Sequence, residues 1–185
     1  NWEVIRAHVD DMVTVSEDEV IATMRLLLTR AKVVAEPTGA VEADPDLATL
    51  VPTRRTRGYD MRRVVARICD PGSVFELQPQ FARSASTGLA RIDGWPIGFI
   101  ANNPMFNAGV LDPETCQKIV RLCVLCDSFN LPIVWLVDVP GFMVGKRVEH
   151  DRMLHWGMRM MQALQMASTP TLTVCIRKAF GLAWQ

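Results

Sequence analysis

Residues 131–142 read LPIVWLVDVPGF. From residue 133 to 139 the stretch is apolar with one exception, Asp138, and Pro140-Gly141 ends it. An apolar run without alternation reads as a strand covered on both faces, and such strands belong to parallel sheets with helices on either side. Upstream, Asp112 precedes Pro113, and apolar residues follow to about Phe129. That is a capped helix whose first position tolerates a missing N–H. Further upstream, TGLARIDGWPIGFIANNP (87–104) predicts a hairpin, with strands 87–92 and 95–101 around Asp93-Gly94. Downstream, 149–168 predicts one Met-rich amphipathic helix, and TPTLTVCI (169–176) a second buried strand. The order from residue 87 is β-β-α-β-α-β, an α/β chain with a parallel sheet.

DMRRVVARIC is a short helix with Asp60 as its cap, and VFELQPQF an edge strand cut short by its Pro. Residues 41–58 are polar, carry two Pro and have no period, and read as a linker. Before them, Ser16 and Glu19 have capping-box spacing ahead of helically spaced apolar residues. Val33 to Ala35 is a short apolar run, and EPTGA (36–40) a turn.

Composition excludes several classes. The chain has 185 residues, 49% hydrophobic and 22% charged, an ordinary globular balance. Its 20 basic residues match 20 acidic ones, so no polyanion-binding surface, and no nucleic-acid partner, is expected. No run reaches the roughly 20 apolar residues of a membrane span, and the N-terminus carries no signal-peptide pattern. The five Cys suit reduced thiols in the cytoplasm. Cys123 and Cys126 form a CxxC within a helix, read as core packing rather than redox or metal chemistry. His150 and His155 are not at the i, i+4 spacing of a zinc helix, so no metal is expected.

In parallel sheets ligands bind beyond the C-terminal strand ends. Three such ends are legible: ANNP (101–104), DVPGF (138–142) and RKAFGLA (177–183). At the third, a glycine followed by small residues permits a sharp turn. Amides that follow it without helical partners could hold a developing negative charge. A plain strand-to-helix turn fits the same pattern. Asp138 could serve as acid or base, or cap a turn. Lys178 could be a Schiff-base lysine, or a solvated Lys flanking a strand.

Five blocks in order, RGYDMRRVVARI, GLARIDGWPIGFIANNP, GVLDPETCQKIVRLCVLCDSFNLPIV, LVDVPGFMVG and RKAFGLA, resemble the carboxyltransferase subunit of biotin-dependent acyl-CoA carboxylases. The resemblance covers residues from about 46 to 185 and points to the family's C-terminal domain. It implies a crotonase-like superhelix of ββα units, incomplete here, and transfer of a carboxyl group from N-carboxybiotin to an acyl-CoA. It implies a biotin carboxyl carrier and biotin carboxylase subunit, an acyl-CoA-binding N-terminal domain and a homo-oligomer as partners. It also assigns residues. The N–H groups of Leu182 and Ala183, after the Gly181 turn, would form an oxyanion hole for biotin. Asn102, Asn103, Gly141 and Phe142 would line the biotin site. Leu182 replaces a more usual glycine, and Trp184 and Gln185 stand where small or acidic residues are more usual. A decarboxylase complex using the same domain in reverse fits equally.

Residues 1–41 instead resemble part of a pyridoxal-phosphate threonine or serine dehydratase, without its lysine segment or phosphate loop. The expected organisation is therefore a dehydratase-like piece (1–41), a junction (42–58) and a carboxyltransferase domain (59–185) cut before its next helix. On that expectation the 171–176 strand lacks its next neighbour, the first segment packs loosely or not at all, and the isolated chain is inactive. A non-catalytic crotonase-like scaffold and a dehydratase fragment are the alternatives.

Overall fold

A computed structural model describes residues 33–34 (main chain only), 49–54 and 56–181. The 16–32 helix and the EPTGA turn expected from sequence lie outside the described residues, as do Leu182 and Ala183. The described elements are β1 (Val33–Val34), α1 (Met61–Ile68), β2 (Phe75–Leu77), β3 (Ala85–Ile92) and β4 (Trp95–Asn102). A 3-10 turn (Asn107–Gly109), α2 (Pro113–Ser128), β5 (Ile133–Val139), α3 (Lys146–His150), α4 (Met153–Met166) and β6 (Thr171–Ala179) follow. The strands form one sheet in the order β1-β6-β5-β4-β3-β2. β2, β3 and β4 are antiparallel neighbours, and β4, β5, β6 and β1 run parallel.

Local chemistry accounts for most of these elements. Asp93 and Gly94 have φ of 53° and 79° and join Ile92 to Trp95. Two positive φ values give the tight turn whose twist matches paired strands. Asp112 accepts a 2.8 Å hydrogen bond from the Thr115 N–H, capping α2, with Pro113 as its first residue. Asp60 caps α1 by accepting from the Arg62 N–H at 3.1 Å. β2 is an edge strand of three residues, ended by Gln78 just after it, whose φ is 51°.

β5 is buried along its whole length and divides the core. Ile133, Trp135, Val137 and Val139 belong to the cluster that α2, α3 and α4 cover. Val134 and Leu136 belong to the cluster under α1, with Phe99, Val64 and Val65. Cys123 and Cys126 lie in the first cluster, and burial pushes their thiols up to about 12 and about 11. Buried, protonated thiols of this kind act as small apolar side chains. Cys175, by contrast, is exposed.

Four expectations are corrected. The helix predicted over 149–168 is two, because Arg152 takes a left-handed φ of 63° between α3 and α4. β6 is covered unevenly along its length: Leu172 and Thr173, on opposite faces, are both buried, whereas Cys175 is exposed, so it is not a fully buried strand. Nor is β6 without a neighbour. Val33 and Val34 pair in parallel with Leu172 and Thr173, so main-chain hydrogen bonding ties part of the first segment into the same sheet. The 49–57 stretch, read as linker, is likewise held. One Arg177 guanidinium nitrogen donates to the carbonyls of Pro52, Arg54 and Arg57 at 3.3, 3.0 and 2.9 Å.

Lys118 is the largest fully buried side chain, 1% exposed in the middle of α2. Its ammonium donates to the carbonyls of Phe81 and Ala85, both at 2.8 Å, and so closes the loop between β2 and β3. Burial pushes its pKa from 10.5 down to about 8. An unfolded lysine keeps its proton up to the higher value, so between about 8 and 10.5 the unfolded chain binds more protons than the folded one. Stability from this group therefore rises with pH across that window. The difference in urea midpoint between the parent and Lys118→Met should widen in the parent's favour from pH 8 to pH 10. A difference independent of pH would contradict it. Lys118→Met should also be less stable throughout, because two buried carbonyls lose their donor.

Candidate active site

The parallel strands β4, β5 and β6 end on one side of the sheet, and the loops that follow them meet there. After β5, Gly141 has φ of 127°, and its carbonyl accepts from the Leu111 N–H at 3.1 Å. That positive φ is one that residues with a side chain adopt only under strain. Phe142 forms an isolated parallel bridge with Leu111, and its ring lies against Gly157 of α4. After β6, the Phe180 N–H donates to the Val139 carbonyl at 3.3 Å, and Gly181 turns the chain with φ of 69°. A Cβ on Gly141 would stand 3.8 Å from the Phe180 carbonyl. The DVPGF loop and the turn at Gly181 are thus neighbours. Among the described residues, no atom lies within 4 Å of a Cβ built on Gly145 or Gly181.

Asn102 and Asn103 stand at the end of β4 and just beyond it. Both are fully buried. Asn102 accepts from the Trp135 indole N–H at 3.1 Å and donates to the Gly109 carbonyl at 3.2 Å. Asn103 accepts from the Met61 and Met105 N–H groups at 3.3 and 3.2 Å and donates to Asp60 at 2.8 Å. Their amides are spent on the chain itself. They fix the turn at residues 107–109 and the start of α1, and do not face open space. Gly141, Phe142 and Gly181 are the predicted site residues that the structure brings together.

Sequence reading missed the polar centre beneath these loops. Asp138 is fully buried on the α1 side of β5, following Val134 and Leu136. One of its oxygens accepts from the Tyr59 hydroxyl at 2.8 Å and from Arg177 at 3.1 Å. The other lies 3.5 Å from the Lys178 ammonium. Arg177 also lies over the Tyr59 ring, 4.9 Å from its centroid. Lys178 donates to the Ala108 carbonyl at 3.2 Å and is buried, so it is not a solvated flank of the strand. Burial and the adjoining carboxylate raise the Tyr59 hydroxyl well above the ordinary phenol range, so it stays a donor. Asp138 is therefore neither a turn cap nor a free acid, but a carboxylate held between two cations. The signal available in the sequence was an acid inside a buried strand, which requires a partner, and an Arg-Lys pair near the corresponding end of the next strand.

The family described as carboxyl transferase domain matches residues 9–185. That match takes in most of the first segment and does not support its resemblance to a dehydratase. The chain is 40% identical over 153 residues to the biotin-dependent acetyl-/propionyl-coenzyme A carboxylase beta5 subunit of Mycobacterium leprae, covering 80% of this chain and 28% of that protein. It is 38% identical over 145 residues to the methylmalonyl-CoA carboxyltransferase 12S subunit of Propionibacterium freudenreichii subsp. shermanii, covering 78% of this chain and 28% of that one. The crystal structure of the hexameric transcarboxylase 12S core superposes with a TM-score of 0.75 at 31% identity, over 98% of this chain and 42% of that chain. The fold is that of the crotonase-like carboxyltransferases. The chain spans little more than a quarter of the length of these curated relatives. Among the described residues no helix is long and apolar enough to cross a membrane.

Proposed function

Because this chain belongs to the carboxyl transferase domain family, we propose that it carries the biotin side of an acyl-CoA carboxyltransferase site. The observation that carries this reading is the meeting of the Gly141 loop and the Gly181 turn at the C-terminal ends of the parallel strands. Phe142 is half-buried there, and Phe180 is 47% exposed. Together with the open glycine backbone they offer an apolar wall beside main-chain amides, which suits a flat fused-ring group with one polar oxygen. Biotin fits that description, and when bound it supplies a ureido nitrogen that carries the carboxyl group.

The chain's own task is to hold the ureido oxygen. The Leu182 and Ala183 amides follow Gly181 directly and are assigned as the donors, worth about 3 kcal/mol each against the charge that develops on that oxygen. Gly141 and Phe142 line the same site. Asn102 and Asn103 shape it from behind. The proposed partners are an acyl-CoA-binding domain, a biotin carboxyl carrier with its biotin carboxylase subunit, and further copies of the chain. Four of the five cysteines are buried, and reduced, buried thiols would fit a cytoplasmic enzyme.

The test is the reverse half-reaction. The assembled carboxyltransferase, freed of its biotin carrier and given radiolabelled malonyl-CoA or methylmalonyl-CoA, should release label only when free biocytin is added. Release no faster with biocytin than without it, for both thioesters, would contradict the proposal.

A further inference from the structure

The geometry points to Asp138 as a positioning residue that sets the exit of β6, and through it the Gly181 turn of the proposed biotin site. This rests on the reading of the Gly181 turn given above. The key observation is a slip in strand register. Val137 faces Cys175 and Val139 faces Ala179, so Asp138 alone stands opposite Ile176, Arg177 and Lys178. Consecutive residues of a regular strand point to opposite faces, and one carboxylate could not then meet both Arg177 and Lys178. The extra residues in β6 bring both cations to Asp138, as bulges do when they re-aim side chains.

Each cation is also anchored elsewhere. Arg177 reaches back to the carbonyls of Pro52, Arg54 and Arg57, and Lys178 to that of Ala108. Tyr59, just ahead of α1, completes the set. The strand therefore leaves the sheet along a path fixed from three sides, three residues before Gly181. Ala179 and Phe180 re-engage Val139 only after the slip. Without the carboxylate, two buried cations repel one another and the slip loses its reason. The Gly181 turn would then shift, and displacement of a catalytic group by about 1 Å can cost about a hundredfold.

Asp138→Asn in the assembled enzyme is the test, read by biocytin-dependent decarboxylation and circular dichroism. A folded variant should lose about a hundredfold in kcat and bind biocytin more weakly, while the KM for the acyl-CoA stays at the parent value. A merely structural role would move stability and both substrates' KM values together. Parent-like kcat in folded Asp138→Asn overturns the inference. If Asp138→Asn does not fold, Tyr59→Phe, which removes one hydrogen bond to the same carboxylate, should lower kcat with the acyl-CoA KM unchanged. No change there overturns it as well. Absence of biocytin dependence in the parent would instead overturn the functional reading itself, so the two failures are distinct.

Discussion

Leu182→Pro is expected to lower kcat for carboxyl transfer by about a hundred- to a thousandfold, with the acyl-CoA KM unchanged. Proline has no backbone N–H, and deleting one oxyanion donor has a cost of that size. Leu182→Gly keeps the donor and should stay near the parent rate, which separates the amide from its side chain. Proline also restricts the residue before it, here Gly181 with its φ of 69°. Replacing the Leu182 amide by an ester, through the hydroxy-acid analogue of leucine, removes the N–H alone. It should reproduce most of the loss, measured as biocytin-dependent decarboxylation. Equal rates for the ester and the parent would remove the Leu182 amide from the site.

The second large effect is on stability. Gly98 of β4 faces the Cys126 sulfur of α2, and a Cβ there would overlap it. Cys126 is fully buried and has no room to retreat. Gly98→Ala should therefore cost about 1–3 kcal/mol, the usual range for overpacking, read as a lower urea midpoint. Cys126→Ala alone also destabilises, by opening a small void. Combined, the two changes should offset one another, giving an interaction of about 1 kcal/mol or more between neighbours in contact. Simple additivity would mean that the helix and sheet are not in contact as described.

The elements read correctly from sequence are those with local causes. Asp93-Gly94 makes a hairpin through backbone preferences of two adjacent residues. Asp112 and Pro113 start α2 through a cap and a missing donor. The apolar run of β5 announces its own burial. What escaped reading depends on distant partners. Val33 and Val34 offer no signal that they will pair with Leu172 and Thr173. The break between α3 and α4 rests on Arg152 alone, a residue without turn preference. Asn102 and Asn103 are placed near the biotin site by family resemblance, which says nothing of what their amides bind. Their partners, Trp135 and Asp60 among them, come from other elements. The same holds for Asp138, whose partners Arg177 and Tyr59 lie 39 and 79 residues away in sequence. The Gly181 turn was identified by family resemblance, since its local pattern suits an ordinary strand-to-helix connection equally well.

These two kinds of feature carry different parts of the function. Local signals place the glycine turns at the strand ends. Buried long-range pairs, which have to be satisfied to be tolerated at all, hold those ends still. The proposed oxyanion site, made of main chain, would have no side chain to lose. Its vulnerability would lie in whatever fixes the backbone, and so in Asp138, Arg177, Lys178 and Tyr59.

The most direct test of the site is a crystal structure of the assembled enzyme with biocytin bound. The ureido oxygen should lie within about 3 Å of the Leu182 and Ala183 nitrogens, beside Gly141 and Phe142. Biocytin bound elsewhere, with those two amides turned toward solvent or engaged by the chain itself, would contradict the assignment.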